Sequence, residues 1–478
     1  MKRKKVVKIL NVSKYILFYF LIFLSFAIIF GTNWAVDNAE ITNFEQVLFT
    51  LNSSVSTASS ELISSFIIDT ILTSIIITVF VYLIGKLFKN LKIIVKVKVR
   101  KKVFKINFYT ISNFIIVVIL IIYAILYLLN NLQILEYIRN NRIDSNFFEE
   151  VYVKPKNVEL EFPKKKRNLI YIFLESMEST YSNKDNGGAY DINYIPELTE
   201  IANNNINFSN NNLIGGAHMT YAASWTTAGI IAHTAGIPVK TAFRQDDVST
   251  YNDTVSLEGA YSLGEILNKE GYRQYIMVGS DLTFGGRRVY LKNHGNYTVF
   301  DYNTAKRDNI IDDDYYVFWG YEDKKLFSYA KKELKKIAKS DEPFNFTMLT
   351  VDTHFPDGYL DESCDIEYDD HYLSSVACSS KQLGEFVEWI KKQDFYEDTT
   401  IILAGDHLSM NTYSFEDIDS NYRRSVYNVY INSAIDTECN KNREFTTFDY
   451  YPTTLAALGV KINGEKLGLG TNLFSCKQ

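Results

Sequence analysis

Asn168-Leu169-Ile170-Tyr171-Ile172-Phe173-Leu174 is an unbroken apolar run of strand length, and Glu175-Ser176 follows it directly. A strand that is apolar at every position has no face to give to water. Such runs suit a parallel sheet covered on both sides by helices. Open α/β sheets bind ligands at the carboxyl edge of their strands, which is where Glu175 stands. Taken alone, a Glu after a strand is more often a charge at a helix start than a metal ligand.

Working outward, the same pattern repeats. Tyr272–Val278, Phe344–Val351, Thr399–Ala404 and Val426–Ile431 read as strands. Leu263–Glu270, Tyr315–Ser340 and Gln382–Gln393 read as helices among them, and Asp449–Leu458 as a helix after the last. One strand delivers Asp352-Thr353-His354-Phe355-Pro356 and another Gly405-Asp406-His407, a plausible divalent-metal half-site. Between the first two strands, Ser224-Trp225-Thr226-Thr227-Ala228-Gly229 opens an apolar helix that Gly236 and Pro238 stop. A hydroxyl there meets free backbone N–H groups and the positive end of the helix dipole, which favour an anion. The plain alternative is a Thr N-cap on a buried helix. Glu175, His354 and Asp406-His407 each end a strand and Thr226 begins a helix, so all converge on one rim. Carboxylates, imidazoles and an anion-friendly hydroxyl together suit phosphoryl transfer at a metal. Phe284-Gly285-Gly286-Arg287-Arg288 is a loop whose paired guanidinium groups can clamp a phosphate. His233 lies on the apolar helix and reads as a core residue. His218 can approach the site, His294 and His371 have no assigned role, and Asp449 reads as structural.

The first 130 residues are of another kind. Apolar segments at about 15–32, 63–87 and 111–129 lack a polar face and approach bilayer-spanning length. Met1-Lys2-Arg3-Lys4-Lys5 precedes the first span, without a clear signal-peptide cleavage site after it. The loop Gly31–Ser65 has no Lys or Arg and carries Asp37, Glu40, Glu45 and Glu61, whereas Lys89, Lys92, Lys96, Lys98, Arg100, Lys101, Lys102 and Lys105 lie between the second and third spans. Positive charge stays inside. The expectation is therefore a multi-pass inner (plasma) membrane protein, with everything after Leu129 outside the cytoplasm. Residues 131–167 read as a juxtamembrane linker, with an interfacial helix near Leu132–Ile138 and a basic end at Pro163–Arg167. Residues 168–478 read as the catalytic domain. No stripe of basic and aromatic residues marks a nucleic-acid binder.

Cys364, Cys378, Cys439 and Cys476 all lie in the exported part, where an even number suggests disulfides. Of the possible pairings, proximity in sequence selects Cys364 with Cys378 and Cys439 with Cys476.

Strand-Leu-Glu-Ser, a Thr opening a helix that ends Gly-Ile-Pro, Thr-Val-Asp-Thr-His-Phe-Pro and Gly-Asp-His resemble the lipoteichoic acid synthase/phosphoglycerol transferase branch of the alkaline phosphatase–sulfatase superfamily. The resemblance runs from Glu45–Leu51 to Gly468-Leu469-Gly470. It implies an α/β architecture: a three-layer sulfatase-like domain with a mostly parallel central sheet, carried outside the cytoplasm by transmembrane helices. It implies one divalent ion, Mn2+ first and Mg2+ or Zn2+ otherwise, held by Glu175, Thr226, Asp406 and His407. Thr226 becomes the nucleophile, with Thr227 a rival beside it, and His354 the general acid. Arg287 falls where the branch binds phosphate. The implied reaction moves a glycerophosphoryl group from phosphatidylglycerol, a lipid of the bilayer, to an envelope glycan or polymer. The chain ends soon after the catalytic domain, so a glucan is not favoured over lipopolysaccharide, capsule or a teichoic-type polymer. Phosphoethanolamine transfer is the sister chemistry, and an inactive membrane-bound homologue with a binding role is a further alternative. No Cys or Ser opens a CxPxR-type motif, which argues against sulfatase chemistry.

Overall fold

A computed structural model describes residues 2–39, 41, 43–52, 60–88, 94–99, 102–142, 146–220, 222–239, 257–365, 368–411 and 413–477. Met1, Glu40, Lys89, Lys92, Arg100 and Lys101, on which the sequence reading also draws, lie outside them. The chain divides into two compact units: Met1–Val47 with Ala58–Asp144, and Leu48–Thr57 with Ser145–Gln478.

The first unit contains three helical stretches long and apolar enough to cross a membrane, Val12–Asn38, Ile63–Leu87 and Ile111–Asn131. Ile16, Phe80 and Phe114 are among many large apolar residues left exposed on these stretches. A water-soluble surface does not tolerate such continuous apolar cover. A two-stranded antiparallel hairpin, Ile94–Val99 with Lys102–Asn107, lies between the second and third of these stretches in the chain.

The second unit is built on a seven-stranded sheet, here numbered in chain order. β1 is Asn168–Leu174, β2 Gly216–Ala217, β3 Arg273–Val278, β4 Thr298–Phe300, β5 Phe344–Leu349, β6 Thr399–Gly405 and β7 Val426–Ile431. Their order across the sheet is β2-β7-β6-β1-β5-β3-β4. The five strands from β6 to β4 run parallel, while at one edge β7 is antiparallel to β6 and β2 is antiparallel to β7. The expected mostly parallel α/β sheet is therefore present.

β1 sits near the middle, and its alternate residues serve different layers. Leu169, Tyr171 and Phe173 join a core that includes Ile230, Ile231 and Leu455. Ile170, Ile172 and Leu174 join a second core with Leu326, Val376 and Phe386. Both faces are covered, which is why no position of β1 carries a charge and all six residues after Asn168 are apolar or aromatic. Each such side chain contributes on the order of 1.5–3 kcal/mol by leaving water.

Two helices differ from expectation. The helix read over Tyr315–Ser340 begins only at Asp323 and ends at Ile337, because Gly320 (φ 143°) and extended Glu322 interrupt it. The helix read over Gln382–Gln393 is longer, His371–Lys391, capped by the Asp370 side chain accepting from the Leu373 N–H. Before β1, Leu160–Glu161 pairs with Lys461–Ile462. Lys165 and Lys166 pair with Asp398 and Glu270, and Arg167 donates to the Asn432 carbonyl, so this stretch is fastened to the second unit.

Candidate active site

β1 and β6 are parallel neighbours with Leu174 opposite Gly405. That register releases Glu175 and Asp406-His407 side by side from adjacent strand ends. Gly405 is needed there, since a Cβ would lie 2.0 Å from the Met177 carbonyl oxygen. Ser176 adopts a left-handed backbone (φ 53°) just past β1. Its N–H donates to Asp406 Oδ1 at 3.0 Å and its hydroxyl to Glu175 Oε1 at 3.0 Å. The turn thus fixes both carboxylates. The Thr353 hydroxyl, from the loop after β5, donates to the Glu175 carbonyl.

The helix Thr226–Ala235 enters from another loop. Its N-cap is Trp225, without a side-chain cap, so the Thr N-cap reading is corrected: Thr226 is the first helical residue. Its Oγ1 lies 3.4 Å from Glu175 Oε2 and 3.4 Å from His407 Nε2. One turn on, a Cβ at Gly229 would meet the Asp406 carbonyl oxygen at 2.3 Å. The helix therefore rests directly on the end of β6. Thr227 points elsewhere and donates to the Gly285 carbonyl at 3.0 Å.

Glu175, Asp406 and His407 are buried, and each offers a ligand atom within 4.8 Å of the others. The His407 Nδ1 pairs with the Leu408 carbonyl at 2.9 Å, which turns Nε2 to Glu175 Oε1 (3.2 Å) and Asp406 Oδ2 (3.5 Å). Burial works against charge on His407, but Asp406 and Glu175 outweigh it and hold the imidazole well above its ordinary pKa. Burial, followed by the Glu175 charge, holds Asp406 above the usual carboxylate value. Burial opposes the charge of Glu175 too, yet the two imidazoles His407 and His354 keep it low. Two carboxylates thus face each other across one imidazole, and Asp406 Oδ2 has no hydrogen-bond partner. An orphaned, buried carboxylate oxygen among hard donors fits a divalent cation.

His354 is buried on the loop after β5, with Nδ1 paired to the Phe355 carbonyl at 2.8 Å. Its ring lies 4.4 Å from that of Trp319. Arg287 donates from Nε to the Phe284 carbonyl (3.0 Å) and from Nη2 to the Asp281 carbonyl (2.9 Å). Arg288 is held by the buried Asp301 at 3.1 Å. His233 is a core residue: Tyr171 meets its Nδ1 at 3.0 Å, and burial with the nearby His407 charge pushes its pKa down to about 3. His294 pairs with Glu265, His218 lies near Glu444, and His371 meets the Asp357 carbonyl. Asp449 accepts from the Thr446 and Thr471 N–H groups, a structural role.

Both disulfides join the cysteines chosen by proximity, Cys364 to Cys378 and Cys439 to Cys476. Sequence reading missed two supports of the rim. Glu178 is buried and bound by Arg424 through both oxygens, a partner 246 residues away that no local pattern reveals. Asp323 and Asp352 clasp each other's loops: Asp323 accepts from the Val351 and Asp352 N–H groups, and Asp352 accepts from that of Asp323.

The comparisons with known proteins agree with this architecture. Phosphoglycerol transferase I of Salmonella choleraesuis (strain SC-B67) is 30% identical over 353 residues, 72% of this chain and 43% of that protein. The Salmonella typhi protein of the same name matches equally at 30%. The chain thus spans less than half the length of these curated relatives. Lipoteichoic acid synthase LtaP from Listeria monocytogenes superposes with a TM-score of 0.51 at 18% identity, over 70% of this chain and 82% of that one. Lipooligosaccharide phosphoethanolamine transferase A from Neisseria meningitidis does so at 0.50 and 14%, over 93% of this chain and 84% of that one. These two likenesses are of fold. The family model for sulfatase matches residues 167–460, from the start of β1 past β7, and the chain belongs to the sulfatase family.

Proposed function

We propose that this protein is a membrane-anchored phosphotransferase that moves a glycerophosphoryl group from phosphatidylglycerol to an envelope glycan or polymer through Thr226. The observation that carries the reading is the convergence of Thr226 Oγ1 on Glu175 and His407 at 3.4 Å each, beside an Asp406 Oδ2 that accepts no hydrogen bond. The named relatives, phosphoglycerol transferases at 30% identity, supply the choice of donor. The complete ligand set supports an enzyme over an inactive homologue.

Glu175, Asp406, His407 and Thr226 would hold the ion, and two carboxylates with an imidazole and a hydroxyl suit Mn2+, with Mg2+ or Zn2+ as rivals. Such an ion supplies Lewis acidity that lowers the pKa of a nearby hydroxyl and offsets phosphate charge. Thr226 passes its proton to the Glu175 carboxylate 3.4 Å away as Oγ1 forms the new bond to phosphorus, and the bond from phosphorus to the diacylglycerol oxygen breaks. His354 gives that oxygen its proton. In the second step the acceptor hydroxyl returns a proton to His354 as its oxygen bonds phosphorus, the bond from phosphorus to Thr226 Oγ1 breaks, and Thr226 takes its proton back from Glu175. Arg287, anchored on the Gly285-Gly286 loop, lies with the phosphate. Arg288 serves that loop through Asp301.

The membrane unit fits this chemistry. A diacyl donor presents its head group at the bilayer surface, and a tether there raises encounter. The charge pattern of the loops supports a second unit outside the cytoplasm. The test is product release. With manganese, the full chain in detergent should liberate diacylglycerol from phosphatidylglycerol far faster than from phosphatidylethanolamine. The opposite preference would make it a phosphoethanolamine transferase.

A further inference from the structure

Beside His354 the structure gathers aromatic rings that the phosphoryl chemistry does not use. Trp319 is 4.4 Å and Phe318 6.2 Å from the His354 ring, centroid to centroid. Phe284 continues the series at 5.7 Å from Trp319, and Tyr359 lies stacked 6.2 Å from Phe318. All four are only partly buried, on loops that meet at the carboxyl edge of the sheet.

The strap that presents them is held firmly. Gly279 and Gly320 lie back to back: a Cβ on Gly320 would meet the Gly279 oxygen at 2.1 Å, and one on Gly279 the Tyr321 oxygen at 2.2 Å. The Tyr321 N–H donates to the Gly279 carbonyl at 3.0 Å. Three residues past Gly320, the Asp323–Asp352 clasp ties the strap to the loop that carries His354. Large rings kept partly in water on a backbone this constrained are costly unless they meet a ligand.

We infer that Phe284, Phe318, Trp319 and Tyr359 form a subsite for a sugar ring of the acceptor. The occupant follows from the make-up of the shelf. Phe318 and Tyr359 lie nearly parallel, at 22°, but Phe284 is tilted 53° from Trp319 and Phe318 78° from His354, so the shelf offers separate faces rather than one flat slot. Polar groups interrupt them: the Tyr359 hydroxyl, His354 and the Arg287 loop. An acyl chain requires an unbroken apolar lining. A sugar presents an apolar C–H face to a ring and hydroxyls to the polar groups between, as mixed aromatic and polar sites do. A hydroxyl of a sugar seated there lies beside His354, the group that takes its proton. The inference rests on the proposed transfer reaction and names where its acceptor binds.

The test uses the full chain in a detergent without a sugar head group, with cellotriose, maltotriose and glycerol as acceptor probes. Phe318→Ala and Tyr359→Ala should each lower transfer to the better trisaccharide at least tenfold more than transfer to glycerol, mainly through KM. Calorimetry on Thr226→Ala protein measures trisaccharide binding without turnover, and adding Phe318→Ala should weaken it at least tenfold. Equal losses for glycerol and trisaccharide, or no trisaccharide binding to the Thr226→Ala protein, would overturn the subsite. Absence of any Thr226 adduct in the unmodified protein would instead sink the transfer reading, while the binding measurement still decides the shelf. Melting curves check that each variant is folded, and Trp319→Phe, which keeps a ring, should retain trisaccharide binding that Trp319→Ala loses.

Discussion

Thr226 and Thr227 are the same residue type at adjacent positions, and their partners separate them. Thr226 faces Glu175 and His407, whereas Thr227 is committed to the Gly285 carbonyl. Thr226→Ala is expected to abolish transfer with the melting temperature nearly unchanged. Thr227→Ala should cost about 1 kcal/mol of stability, one lost hydrogen bond, and keep activity within a few fold. Activity lost with Thr227 and kept without Thr226 would move the nucleophile by one residue. Asp406→Asn leaves Oδ1 its N–H partners but removes the charge at Oδ2. It should abolish manganese binding measured by calorimetry. The proposed ligand residues were legible as chemistry at strand ends, because strand length alone puts them on one rim. The fate of Arg288 was not legible. Two Arg beside Gly look equally available until the chain brings Asp301 to one of them.

At the scale of elements, the sequence was clearest where burial is two-sided. The run at β1 appears in the structure with the same bounds, Asn168–Leu174. It was least clear where a loop is rich in Tyr, Phe and Trp, because apolar spacing there mimics a helix. Tyr315–Glu322 was absorbed into a helix for that reason, hiding Phe318 and Trp319 beside His354. Long-range clasps were equally invisible. Arg424→Ala would leave the Glu178 charge buried without its partner and should cost about 3–5 kcal/mol, read by thermal or denaturant unfolding. Asp323 and Asp352 give a pH signature. Burial first, and for Asp352 the Asp323 charge next, hold both above the ordinary carboxyl value of 3.8. The folded state therefore binds more protons than the unfolded chain above that pH. Stability contributed by the pair is full below 3.8 and lost as pH rises through the raised folded values. Asp352→Asn should flatten this fall in a series of melts against pH; an unchanged slope would assign it to other groups.

For the molecule as a whole, two disulfides bind the second unit. They close loops with sequence separations of 14 and 37 residues. Loop entropy gives about 3 and 4 kcal/mol for closures of these lengths. A reductant should lower the melting temperature of the second unit, and free-thiol labelling of all four cysteines with unchanged melting would reject that role. Membrane anchor, parallel sheet and hydroxyl-bearing helix acquire one purpose if Thr226 carries the group in transit. The most direct measurement is intact and peptide mass spectrometry of the full chain after incubation with manganese and either phosphatidylglycerol or phosphatidylethanolamine. A glycerophosphoryl adduct on the peptide containing Thr226, formed with release of diacylglycerol and absent in Thr226→Ala, is the predicted result. No adduct from either lipid across manganese, magnesium and zinc, with the protein folded, would contradict the account.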